Sequence, residues 1–188
     1  MRRAVVALDL ALALCACSRA EPAAEPCVDT DAGAPVDATL LAFLSRARAA
    51  HHLADQAEAA RDLGRAVKTL SQLTDGPLPP GAAAQAPEVR EVLADTLARL
   101  ADLTSQLGDH GAAERHLGRG LDLVPTPTYF RGHLFEVRGL VEERNASELE
   151  RRGETAQAAQ AKARALEALE AAMKIQAEVI QKSAPAKP

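Results

Sequence analysis

Aromatic side chains are nearly absent from this 188-residue chain: they make up 2% of it, with no Trp, one Tyr and three Phe. The core must therefore be built from small and aliphatic residues, and little of the bulky material that favours β-sheets is present. Cysteine is also scarce. All three lie at the N-terminal end, as Cys15, Cys17 and Cys27, so no disulfide framework spans the chain. Positive charge is not in excess, with 22 Lys and Arg against 26 Asp and Glu. Without a basic patch interleaved with aromatics, nucleic acid is excluded as the expected partner. No apolar run reaches the roughly 20 residues that span a bilayer; Ala4 to Leu14, interrupted by Asp9, is the longest near the N-terminus.

Recognisable catalytic patterns are missing as well. The histidines are His51, His52, His110, His116 and His133, and no pair has the two-turn spacing beside an acid that marks a zinc-protease helix. There is no Gly-rich phosphate loop and no nucleophile elbow, and Cys27 has no base placed beside it. The acids Glu142 and Glu143 read as part of a solvated helix face. The chain thus reads as a non-enzyme, with neither metal nor cofactor expected.

What is present is helical periodicity organised in hairpins. Leu97, Leu100, Ala101 and Thr104 follow one another at spacings of three, one and three, and Gly108-Asp109 then supplies a helix stop and a new cap. Ala113, Leu117, Gly120 and Pro125 follow, with small residues where two helices must approach and a proline where the second ends. An upstream copy comprises Ala50, Leu53, Ala54 and Ala57, then Ala66, Leu70 and Leu73, closed by Gly76-Pro77. A third copy places Gly153-Glu154 at the turn and Ala158 after it, with Lys162 where a bulky apolar residue belongs. The hairpins predict six helices, over about 38–60, 62–74, 88–107, 110–123, 127–152 and 154–182. Thr126-Pro127 reads as the cap and first residue of the fifth, and Pro87-Glu88 as the start of the third. The loop 75–86, rich in Pro and Gly, reads as non-helical. In the last helix Leu166, Leu169, Met173, Ala177 and Ile180 form an apolar stripe, expected to close the array or, alternatively, to serve as a self-association or partner helix.

This pattern resembles the tetratricopeptide (TPR) repeat, most specifically over Gly108 to Pro125. The fold it implies is all-α: an α-solenoid of about three TPR-like hairpins with a long C-terminal helix. Repeat 1 covers 37–76, an inserted loop 77–86, repeat 2 87–125 and a divergent long hairpin 126–183, followed by a tail at 184–188. The packing residues are Ala54, Ala66, Leu70, Leu97, Leu100, Ala101, Gly108, Ala113, Leu117, Gly120 and Pro125. In that family the first helices of successive repeats line a concave binding face, which here implies Arg48, His51, Asp55 and Glu58 from the first repeat and Asp95, Ala98, Asp102 and Ser105 from the second. Its mainly acidic character suits a protein or peptide partner with basic side chains, while an ordinary solvated surface is the competing account. Tyr129, His133 and Phe135 either wall the end of that groove or pack the junction with the long hairpin, the latter favoured.

The N-terminus gives an address. Arg2-Arg3, the apolar stretch after it and Leu14-Cys15-Ala16-Cys17 form the three parts of an export signal over 1–16. The tetrapeptide resembles the bacterial lipobox, which implies that Cys17 is lipidated and becomes the mature N-terminus. Ser18 after it favours the outer membrane, facing the periplasm; a soluble secreted or periplasmic form is second. Loss of 1–16 leaves 20 basic against 25 acidic residues, a formal net of −5. Residues 17–36, rich in Pro, Ala and acids, form a tether unable to bury a core. The function expected is a lipid-anchored interaction or assembly scaffold of the bacterial envelope. The alternatives are a noncatalytic companion of an envelope enzyme and a self-assembling repeat protein.

Overall fold

The computed structural model describes residues 37–184, and these form six α-helices: α1 Ala38–Ala59, α2 Leu63–Thr74, α3 Pro87–Gln106, α4 His110–Leu123, α5 Tyr129–Arg151 and α6 Thr155–Ser183. No strand occurs among the described residues. The expected signal peptide, Cys17, the tether and residues 185–188 lie outside them. None of the described helices is long and apolar enough to cross a membrane.

Helix ends follow local chemistry. Side-chain oxygens of Asp37, Asp62, Asp109 and Thr128 accept hydrogen bonds from backbone N–H groups two or three residues on, satisfying donors that a helix start leaves free. Pro87 opens α3 as expected. The fifth helix starts two residues later than Thr126-Pro127 suggests, because Thr128 is the residue whose hydroxyl reaches the first turn. The inserted segment also departs from expectation: Gly81–Gln85 forms a turn of 3-10 helix. Its three alanines permit that turn between the prolines and α3, and Ala83 is buried.

The helices pair as α1 with α2, α3 with α4 and α5 with α6, and α3 and α5 each also touch both helices of the preceding hairpin. The same turn joins each pair. Arg61, Gly108 and Gly153 have φ of 60°, 85° and 79°. Their N–H groups donate to carbonyls three residues back, and the next N–H groups, of Asp62, Asp109 and Glu154, donate to carbonyls five back. Glycine takes this left-handed conformation without steric cost; Arg61 does not. Counting from that residue, Ala54, Ala101 and Ala146 stand seven before it and Ala66, Ala113 and Ala158 five after, and all six are buried. The repeated alanines let the paired helices come close.

Around these contacts lie three clusters. Ala54, Ala57, Ala66 and Leu70 of the first hairpin enclose Leu97, Leu100 and Leu103 of α3. Ala94, Ala98, Ala101, Ala113 and Leu117 meet Leu134, Val137 and Val141 of α5. Phe43, Ala47, Leu73, Val89 and Leu93 close the N-terminal end. Leu53, equivalent to fully buried Leu100, is exposed. Among the described residues no earlier hairpin covers it.

The third hairpin packs differently. On α5, an ideal Cβ on Gly139 would stand 2.6 Å from Leu169 Cγ and 3.3 Å from the Ala165 carbonyl oxygen, and one on Gly132 would stand 3.0 Å from Gln176 Cγ. Opposite them α6 buries Ala158, Ala161, Ala165, Ala168 and Ala172. Of the expected stripe Leu169 reaches α5, whereas Leu166, Met173, Ala177 and Ile180 point to solvent, because the small-residue face allows closer contact with α5 than the large residues would.

Candidate functional site

The residues expected on a binding face lie along α1 and α3, where the geometry gives many of them internal work. Arg99 of α3 reaches back to α1, its Nε donating to Glu58 Oε1 at 3.0 Å and its Nη2 lying against Asp55 and Glu58. One hairpin later Arg144 of α5 reaches back to α3, its Nη1 lying 2.7 Å from Asp102 Oδ1 and donating to Ser105 Oγ at 2.7 Å. Both arginines stand nine residues before their turn, and both reach the positions six and three residues before the preceding turn. The structure thus repeats an inter-hairpin clamp, whose arginines the sequence reading passed over. A signal was available in the recurrence of Arg99 and Arg144 at one repeat position.

His51 belongs to the same junction. Thr96 donates its hydroxyl hydrogen to the Val92 carbonyl at 2.7 Å, so its oxygen accepts from His51 Nε2 at 2.9 Å. Nδ1 then faces Arg99 Nη1 at 3.4 Å as an acceptor. Burial, with Arg99 adding to it, holds His51 below the ordinary imidazole value against the opposing pull of Asp95 and Asp55. Of the remaining expected residues, Arg48 is exposed and Asp95 half-buried, whereas Ala98 is fully buried and contributes to the core instead. Its small side chain fits under α5.

Beyond this ladder a cleft of about 560 Å³ opens between the end of α3, the start of α4 and α5. Exposed Leu107 and Leu140 provide apolar surface, and Glu143, Arg144, Ser147 and Arg151 line it with polar groups. His110 Nε2 lies 3.0 Å from Glu148 Oε2 at one wall. Ser105 is the only residue of the expected face that borders this cleft.

The aromatic group at the start of α5 is divided. Phe130 packs on the core, while Tyr129, 59% exposed, stacks over His133 with centroids 6.2 Å apart. Phe135 lies between the Arg131 and Arg138 guanidinium groups at 5.4 and 5.7 Å. Being so exposed, Tyr129 does not pack the junction as favoured. Glu142 is a further correction: it is buried, 7% exposed, and accepts from Arg164 of α6 at 2.6 and 2.9 Å. Its repeat equivalent is Leu97, so the third hairpin holds an ion pair where the second holds an apolar contact. Glu143 remains exposed.

Comparison with protein-family models, curated proteins and solved structures yields no match.

Proposed function

We propose that this chain is a lipid-anchored, TPR-type interaction or assembly scaffold of the bacterial envelope. The observation that carries the reading is the threefold recurrence of one turn with buried alanines seven residues before and five after it. The N-terminal Leu14-Cys15-Ala16-Cys17 supplies the address by its resemblance to a lipobox. The partner is a protein or peptide segment. It would lie along the α1 and α3 face and into the cleft beyond, with an apolar side chain against Leu107 and Leu140. Asp55, whose side chain remains 61% exposed despite its clamp, and Asp95 would receive basic side chains. Anchoring to a membrane would raise the effective concentration for such a weak, preformed surface.

Crosslinking in native membranes followed by affinity capture tests the reading, comparing the parent with Asp95→Lys and Leu140→Asp, which leave both arginine clamps in place. Capture of one envelope protein, lost in both variants, is the expected outcome. Equal capture by all three chains refutes the surface. Replacing Cys17 by Ala should release the chain from membranes or block its processing, and full membrane retention refutes the lipid anchor.

A further inference from the structure

Helix α6 touches only α5 among the described helices, and it does so through one face. On the other face Ala159, Ala163, Leu166, Glu170, Met173, Ala177 and Ile180 recur at alternating spacings of four and three, and all are exposed. At 100° per residue this line lies about 150° around the helix from the buried alanines. Leu166, Met173 and Ile180 are 63%, 65% and 69% exposed, the most exposed of the large apolar side chains described. A heptad of apolar residues is the pattern of a helix seam. The fold uses one such seam against α5 and leaves the second open.

We infer that the open seam of α6 docks on the same seam of a second copy of this chain, with the two helices antiparallel. Size and charge both select that arrangement. In the antiparallel register that sets Glu170 opposite Met173, Leu166 faces Ala177 and Ile180 faces Ala163, so these two large side chains each meet an alanine, while Met173 lies against the aliphatic stem of Glu170. Glu167 and Lys174 flank the seam on one edge, a heptad apart, and neither makes an ion pair with the described residues. Antiparallel pairing brings Glu167 of each copy beside Lys174 of the other. A parallel pair would instead set Glu170 against Glu170 and each large residue against itself. The paired seam from Ala163 to Ile180 is about 26 Å long and about 10 Å wide, a contact smaller than standard specific interfaces, so association is weak and concentration-dependent.

Oxidative crosslinking of the full-length chain tests the pairing, with the parent and its native cysteines as the baseline. Mixed Leu166→Cys and Ala177→Cys chains should form a covalent dimer above that baseline, while neither variant alone does. Dimers from Leu166→Cys alone, or none from the mixture, overturn the antiparallel seam. In sedimentation equilibrium Leu166→Asp/Met173→Asp should weaken association at least about tenfold with an unchanged thermal midpoint, because both positions are exposed in the single copy. Equal association of parent and variant overturns the inference. So does a monomeric parent whose Leu166→Cys fluorophore shifts to the blue on anionic phospholipid vesicles, since the seam would then meet a bilayer.

Discussion

Arg61 carries the sharpest test of the repeated turn. It occupies the position taken by Gly108 and Gly153, at φ 60°. Its side chain is exposed and makes no hydrogen bond or ion pair with the described residues, and its backbone N–H bond to the Glu58 carbonyl does not depend on that side chain, so its replacement removes no contact. A left-handed residue with a Cβ costs about 1–2 kcal/mol. Glycine avoids that cost but loses about 0.5–1 kcal/mol more backbone entropy on folding. Arg61→Gly should therefore stabilise by about 0.5–1 kcal/mol, raising the thermal midpoint by about 1–4 °C for a chain of this size. Gly108→Ala should do the reverse by a similar amount, although an added Cβ there meets nothing within 4 Å. Gly118 in α4 is the control. Its Cβ would also meet nothing within 4 Å, yet its backbone is ordinary helix, so Ala there should stabilise by about 0.5–1 kcal/mol. Thermal unfolding followed by circular dichroism reads all three. A lowered midpoint for Arg61→Gly, or equal responses of Gly108→Ala and Gly118→Ala, refutes the shared turn.

Gly139→Ala should lower stability by about 1–3 kcal/mol through displacement of Leu169, measured by urea unfolding; an unchanged midpoint contradicts the close contact of α5 and α6. Arg164→Ala should cost about 1–2 kcal/mol, the pair being half exposed on the arginine side, whereas Glu142→Leu/Arg164→Ala, which removes both charges, should recover most of that loss. A double variant as unstable as the single sinks the ion-pair account. Acid should destabilise the fold through His51, His110 and His116, all held below their ordinary 6.5 first of all by burial. The unfolded chain then binds more protons than the folded one near and below pH 6.5, so stability is full above that value and falls as pH drops through the folded values. His51→Asn should flatten this slope between pH 7 and about pH 5; an identical slope in the variant argues against burial of a neutral imidazole.

The hairpins were legible because small-residue positions tolerate little else. Ala101, Ala113, Gly108 and Gly120 mark where backbones approach, and an ideal Cβ on Gly120 would stand 2.6 Å from Leu134 Cδ2. Arg61 was not legible as a turn residue, since nothing about arginine announces a positive φ. Glu142 misled for a related reason: an acid at a core position looks solvated until the Arg164 that neutralises it, 22 residues away, is brought beside it by the α5–α6 turn. The stripe on α6 misled through size. Leu, Met and Ile look like core, but Gly132 and Gly139, seven residues apart on α5, select the alanine face.

The clamps change how the expected binding face must be read. Asp55, Glu58, Asp102 and Ser105 do not form a free acidic strip, because each accepts from, or lies against, an arginine of the next hairpin. Partly exposed ion pairs of this kind contribute modestly to stability singly, yet here they recur at one repeat position and join successive first helices, so they help to fix the angle between hairpins. A partner that attracted Arg99 or Arg144 away from these acids would alter that angle. Charge reversal at Asp55 or Asp102 therefore confuses loss of a partner with loss of the stacking, whereas Asp95 and Leu140, outside both clamps, separate the two.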